Sequence, residues 1–228
     1  MVKVLDFEIM EYKPVLLRQE EYFNHLIRSK KNLGVGEEYI LIGEHPSVIT
    51  MGRRAKKENI LISAPELKER GIEIFQVGRG GDVTFHCEGQ IILYPIIDLE
   101  KHGVSVKEYV SILEESVIRT LQKYGIKGER VEGATGVWVG KDSNDERKIC
   151  AIGVKCSHFC TMHGLALNVN SDLSGFTLIN PCGFIDKGVT SMEKETGYQL
   201  NIKEVKRELL ITFLSLMFPF EEILHLLE

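Results

Sequence analysis

Asn180-Pro181-Cys182-Gly183 presents a thiol on a stiffened turn. Proline fixes its own φ and restrains the residue before it, so the backbone holds Cys182. Gly183 removes the neighbouring side chain, leaving room for a substrate carbonyl and for a backbone N–H facing its oxyanion. A thiol held this way attacks an ester or thioester once something lowers its pKa. The same residues also read as a small buried hydrophobe in a turn, the commoner fate of an isolated cysteine. Lys148 opens Lys148-Ile149-Cys150-Ala151-Ile152-Gly153. In an apolar pocket a lysine loses its charge readily and serves as a general base. At a strand end after an exposed turn it is a solvated cation, and spacing does not choose between the two.

The densest unusual stretch is Gly78-Arg79-Gly80-Gly81-Asp82-Val83-Thr84-Phe85-His86. Adjacent glycines after a strand let backbone N–H groups approach a ligand, while Arg79 adds a fixed cation and His86 a titratable ring. A tight hairpin turn with a surface arginine explains the same residues, because short glycine motifs are unspecific. Cys150, Cys156, His158, Cys160 and His163 crowd another stretch. Cys156 and Cys160 have a zinc-compatible spacing, but a second pair at finger or ribbon spacing is missing. In an extended segment Cys156, His158 and Cys160 share one face and His163 takes the other. No metal is expected.

Composition narrows the function classes. The chain has 228 residues, 43% of them hydrophobic and 27% charged, enough to bury a core without disulfide or metal staples. Its five cysteines do not form a disulfide framework, and reduced thiols in a cytosol fit better. The first ten residues lack the basic start and apolar run of an export signal. No apolar stretch approaches the ~20 residues of a membrane helix. The net charge of −5 argues against nucleic-acid binding. Arg53-Arg54 and Lys56-Lys57 still offer a local patch for an acidic partner.

The elements that must position these residues follow from periodicity and caps. Val2–Tyr12 alternates like a half-buried strand, and Pro14 opens a helical pattern that Gly34 stops. Tyr39–Ile42 and Val48–Met51 read as two strands joined by the Gly43–Ser47 turn. Ile72–Val77, Val83–His86, Ile91–Ile97 and Leu165–Val169 are further strands. Ser105 with Glu108 forms a capping box at the head of the clearest helix, which ends at Gly125. Val137–Val139 and Lys148–Val154 read as a hairpin across the polar Lys141–Arg147 turn. Asn201 with Glu204 starts a last helix. Strands outnumber helices and mostly follow one another directly. That order predicts an α+β fold, a mixed, largely antiparallel sheet flanked by about three helices. A single domain over 1–228 is the simplest division, with the residues after Gly188 as a small extension.

Taken together these motifs resemble the lipoyl(octanoyl) transferases. The resemblance runs from about Gly43 to Thr196. It rests on His45-Pro46, Gly52-Arg53, Arg79-Gly80-Gly81 through Thr84 and His86 to Gly89-Gln90, and Tyr94-Pro95. It continues through Gly136-Val137-Trp138, Lys148…Ile152-Gly153, His163-Gly164…Leu167-Asn168, Asn180-Pro181-Cys182-Gly183 and Gly188-Val189-Thr190-Ser191. Several ordered motifs are far more specific than any one of them. One departure stands out: the family usually has proline where this chain has Glu88, which sets a flexible acid beside the expected pocket.

The resemblance implies the biotin/lipoate ligase-like fold, with Cys182 as acyl-carrying nucleophile and Lys148 as its acid/base partner. Arg79, Gly80, Gly81, Asp82, Val83, Thr84, Phe85 and His86 would line the acyl pocket, with Ala151, Ile152 and Gly153 and with His163, Gly164 and Leu165. The implied donor is octanoyl on the phosphopantetheine arm of acyl carrier protein. The implied acceptors are lipoyl domains of 2-oxoacid dehydrogenases or the glycine cleavage H protein. Neither ATP nor metal enters such a reaction, and the implied enzyme is a cytoplasmic monomer without nucleic-acid or membrane partners. Three rivals share parts of the pattern. An amidotransferase between lipoyl-bearing proteins would differ only in its donor. An ATP-dependent lipoate ligase would need no Cys182. A silent acyl-binding scaffold would need neither Cys182 nor Lys148.

Overall fold

The computed structural model describes residues 2–141, 145–180 and 188–227. β1 (Val2–Ile9) lies parallel to β2 (Glu38–Glu44). Parallel neighbours need a crossover, which α1 (Tyr12–Leu33) supplies. Its buried Tyr12, Val15, Gln19, Phe23 and Leu26 recur at helical spacing, and Gly34 ends it at φ 75°. Tyr12 therefore begins the helix instead of ending the strand. Pro14 falls in the first turn, where its missing N–H leaves no bond unmade.

The strand after β2 does not pair with it. β3 (Val48–Met51) enters a separate three-stranded sheet, parallel to β4 (Glu73–Gln76) and antiparallel to β5 (Val83–His86). The turn between β2 and β3 is as expected; the pairing is not. The reason lies in the chain just past β2. The Gly43 Cα stands against the Phe7 ring, and fully buried His45 donates from Nδ1 to the Met10 carbonyl at 2.7 Å. These contacts turn the backbone out of the first sheet. A short helix, α2 (Ala64–Glu69), follows β3 with a capping box of Ser63 and Glu66.

The large sheet is completed by β6 (Gln90–Ile96), β7 (Glu129–Val131), β8 (Ala134–Val139), β9 (Arg147–Ser157), β10 (Cys160–Asn168) and β11 (Gly188–Val189). Its order is β1-β2-β6-β10-β9-β8-β7, with β11 beside β9 where β10 has ended. Within this sheet only β1–β2 and β9–β11 are parallel among the described residues, so it is mixed and mostly antiparallel. α3 (Val106–Lys123) starts at the Ser105/Glu108 capping box. α4 (Met192–Thr196), α5 (Ile202–Met217) and α6 (Phe220–Leu227) follow β11. The α+β class stands, with more helices than foreseen, because α2 and α4 are too short for a helical period to show.

The two faces of the sheet carry different partners. Leu93, Leu165 and Leu167 pack with Val117 and Leu121 of α3 and with Leu209 and Phe213 of α5. The segment after Gly188 thus contributes to the main core. Tyr94, Met162 and Ala166 pack on the other face with Phe23 and Leu26 of α1. The small sheet keeps its own cluster of Ile49, Leu67 and Phe85. No helix among the described residues is long and apolar enough to cross a membrane.

β10 begins earlier than the apolar run suggests, because Thr161, His163 and Gly164 dilute the strand signal. His158 and Phe159, at φ 53° and 60°, make the two-residue turn from β9 into β10, with Cys160 opposite Ser157. The chain reverses there. The expected shared face of Cys156, His158 and Cys160 in one extended segment is therefore wrong.

Candidate active site

A cavity of about 520 Å³ lies between the α1 side of the large sheet and the β5 end of the small one. Arg79, Gly80, Gly81, Asp82, Val83, Thr84 and His86 form one wall. Ala151, Ile152 and Gly153 of β9 and His163, Gly164 and Leu165 of β10 form another, and Lys148 stands on the rim of β9. Segments far apart in the chain thus converge on one cavity. Phe85 does not join them. Strand alternation sends its ring away from Thr84 and His86, into the small sheet's cluster, 5.8 Å from Phe176. Cys182 lies outside the described residues. On either side of it in the chain, Phe176 and then Gly188 and Val189 line the cavity.

Glycines let the two sheets approach. Gly80 N–H donates to the Val154 carbonyl at 2.8 Å, tying the Arg79–Gly81 loop to β9. A Cβ on Gly153 would sit 2.9 Å from Arg79 Cδ, so the loop needs glycine beneath it. Opposite lies the Gly52–Ala55 turn. Its Arg53 N–H donates to the Arg79 carbonyl and its Arg54 N–H to the Gly81 carbonyl, both at 3.0 Å.

A one-way hydrogen-bond chain stiffens the wall. The buried Arg79 guanidinium donates to Thr50 Oγ1 at 2.9 Å and to the Thr50 carbonyl at 2.8 Å. With Thr50 Oγ1 accepting from Arg79, its hydroxyl proton is directed to His86 Nε2 at 3.2 Å. His86 Nδ1 then donates to Gln90 Oε1 at 2.7 Å, and Gln90 Nε2 to Asn168 Oδ1 at 2.8 Å. Asn168 Nδ2 ends on the Thr190 carbonyl at 3.0 Å, and Thr190 N–H returns to the Lys148 carbonyl at 3.0 Å. This tautomer requires a neutral His86. Burial, with the nearby charges of His45 and Arg79, pushes His86 down to about 3. His163 is likewise lowered to about 3 by burial, and His45 to about 4.

Lys148 pairs with Trp138 on β8 and with Val189 on β11, and its Nζ lies 4.6 Å from the centre of the Trp138 ring. Trp138 lines the cavity too and anchors itself by donating from Nε1 to the Ala134 carbonyl at 2.8 Å. Several lining residues were not foreseen as site residues. Tyr12 was hidden by its reading as strand. Arg54 was read only as part of a basic surface patch, and Phe176 carries no local signal. Glu88 is exposed and is not on the cavity wall. It takes the second position of the Cys87–Gln90 turn, closed at 3.2 Å with Gly89 at φ 81°, a position where proline fits but is not required. The turn is held instead by Gly89 N–H donating to the Glu44 carboxylate at 2.8 Å.

A cleft joining a lysine, a tryptophan and a glycine-built wall in this α+β frame defines the class. The family described as the lipoyl protein ligase A/B catalytic domain matches residues 12–214, and the chain belongs to it. Among curated relatives, the octanoyltransferase of Bacteroides fragilis is 49% identical over 214 residues, covering 92% of this chain and 97% of the relative. The octanoyltransferase of Bacteroides thetaiotaomicron is 47% identical over 206 residues, covering 90% and 91%. The chain is accordingly an enzyme of the acyltransferase class. Solved structures share the fold at low identity. The bipartite lipoate protein ligase of Thermoplasma acidophilum aligns with TM-score 0.66 at 15% identity, covering 94% of this chain and 82% of that one. LipL1 of P. falciparum in complex with lipoate gives 0.69 at 13%, covering 97% and 62%.

Proposed function

We propose that this enzyme moves an octanoyl group from the phosphopantetheine thiol of acyl carrier protein to a lysine of a lipoyl domain, by way of a thioester on Cys182. The observation that carries the reading is the cavity. It is walled by backbone and apolar groups along β9 and β10, with Lys148 at its rim and described residues on both sides of Cys182 lining it. In the first half, Lys148 as free amine takes the Cys182 thiol proton and the thiolate attacks the thioester carbonyl. Backbone N–H groups near Cys182 and Lys148 hold the oxyanion, each worth a few kcal/mol of barrier, roughly 3. The carbonyl–pantetheine bond then breaks, and the lysine ammonium returns the proton to the departing thiolate.

In the second half a lysine amine of the lipoyl domain attacks acyl-Cys182. The amide forms, the Cys182 thiolate leaves, and the amine's surplus proton passes to Lys148. Thioester to amide runs downhill, so no nucleotide or metal takes part. The acceptors are lipoyl domains of 2-oxoacid dehydrogenases or of the glycine cleavage H protein, and the enzyme works as a cytoplasmic monomer. The relatives' activity and the lipoyl ligase solved with its E2 lipoyl domain support this choice.

The test is intact mass after mixing the enzyme with octanoyl-acyl carrier protein without ATP. Wild type gains one octanoyl group, which hydroxylamine or an apo lipoyl domain removes. Cys182→Ser gains no such hydroxylamine-labile group, and Lys148→Ala forms it at least about 100-fold more slowly, in line with the loss of a general base. Transfer that appears only with free octanoate and ATP would replace this mechanism with a ligase.

A further inference from the structure

The middle of β10 holds an outlier. His163 sits at φ 62° while its strand pairs with β9 without a break, Met162 to Lys155, His163 to Val154 and Gly164 to Gly153. The left-handed region is costly for a residue with a side chain and persists only where the surroundings over-determine it. Here they do. His163 N–H is taken by the buried Gln19 Oε1 at 3.1 Å, and any Cβ on Gly164 would collide with the Leu93 carbonyl.

The strained φ has a consequence for direction. Along β10, Met162 and Ala166 pack on the α1 side, whereas Leu165 and Leu167 pack toward α3 and α5. Regular alternation would send His163 toward α3 and α5 as well. Instead its ring meets Tyr94 edge-on on the α1 side, 6.3 Å between centres, and lines the cavity that Tyr12 and His86 also line. Among the described residues neither ring nitrogen has a hydrogen-bond partner. Glycine would adopt this backbone without strain, so the conformation serves to hold an imidazole in the cavity.

The spacing suits a measuring role. From Lys148 to Val154, the partner of His163, β9 covers roughly 20 Å at ~3.3 Å per residue. Lys148 and His163 thus stand far apart along the cavity wall, and an extended octanoyl chain built from ~1.5 Å bonds, roughly 9 Å long, fits between them.

We propose that His163 is the end stop of the acyl pocket, the residue against which the terminal methyl rests and which sets the preferred chain length. This rests on the acyl-transfer reading above. Wild type is compared with His163→Gly and His163→Asn, both of which tolerate a positive φ. The first readout is kcat/KM for acyl-enzyme formation from octanoyl, decanoyl and dodecanoyl thioesters. The second is binding of the free fatty acids, followed by fluorescence of the single tryptophan, Trp138, on the cavity wall. At about fourfold per methylene newly accommodated, His163→Gly should raise the decanoyl-to-octanoyl ratio about 15-fold, with His163→Asn in between. The tightest-binding free acid should lengthen in parallel.

Ratios within about twofold of wild type in both assays, for variants whose thermal midpoint is retained, would overturn the proposal. If His163→Gly fails to fold, His163→Asn carries the same test. A wild type that forms no acyl-enzyme from any thioester refutes the transfer mechanism instead. The fluorescence series still decides the stop independently of turnover.

Discussion

At the scale of single residues, the site is built around histidines kept neutral. His45, His86 and His163 are pushed down to about 4, 3 and 3, each chiefly by burial. The unfolded chain titrates these rings near 6.5, so as pH falls below that value the unfolded state takes up protons that the folded state refuses. Their contribution is complete above about pH 6.5 and is lost progressively as pH falls toward 3–4. Each ring can remove up to about 1.4 kcal/mol per pH unit across that window. Urea midpoints measured between pH 7.5 and 5 should therefore fall steeply. His86→Gln, which has no titrating ring, should show a shallower slope. A slope unchanged by the substitution would mean that His86 does not stay neutral in the folded protein.

Individual elements owe their limits to caps and glycines. α3 begins where Ser105 Oγ accepts from Glu108 N–H and the Glu108 carboxylate accepts from Ser105 N–H at 2.8 Å. Its far end stops as the chain reaches Gly125 at φ 74°. Because α3 packs against β8, β9, β10 and α5 in the main core, this cap is coupled to global stability. Ser105→Ala should cost about 1 kcal/mol, read as a lower urea midpoint, while acyl transfer at 25 °C stays within about twofold. The cap of α2 is the same motif on a helix of six residues packed on the small sheet, away from the main core. The structural glycines act differently. Gly153 and Gly164, cross-strand partners, leave the cavity face of the sheet bare and let the Arg79–Gly81 loop rest on it.

On the scale of the whole molecule, two sheets close over one another and the cavity is what their cores leave between them. Its rim carries an electrostatic contrast. The chain is net −5, yet Arg53, Arg54, Lys56 and Lys57 are concentrated in the segment clamped to the Arg79–Gly81 loop. None of the four is in an ion pair with a described residue. Such a rim speeds the encounter with an acidic carrier and weakens with salt. Reversing two exposed charges, Arg53→Glu with Lys57→Glu, should raise KM for octanoyl-acyl carrier protein by roughly three- to tenfold at low ionic strength. KM for octanoyl-pantetheine, which has no carrier, should not change. Equal effects on both donors would show that the charges act on the site itself.

What the amino-acid order decided alone is whatever depends on near neighbours. The Ser105 cap, the glycine stop at Gly34, the β8–β9 hairpin and the Arg79–His86 stretch are each specified within a turn or a strand, and all were legible. Phe85 was misread onto the pocket wall, although a strand that aims Thr84 and His86 at one side must aim Phe85 at the other. Tertiary structure decided the rest, because pairing and burial are settled between segments far apart. β2 and β3 look alike as short apolar runs. Only the Phe7–Gly43 contact and the buried His45 send them into different sheets. Tyr12 became a wall of the cavity once α1 had crossed the sheet. The direction of His163 could not be read from alternation, because its N–H bond to Gln19 and a carbonyl of β6 impose a backbone conformation that its own sequence disfavours.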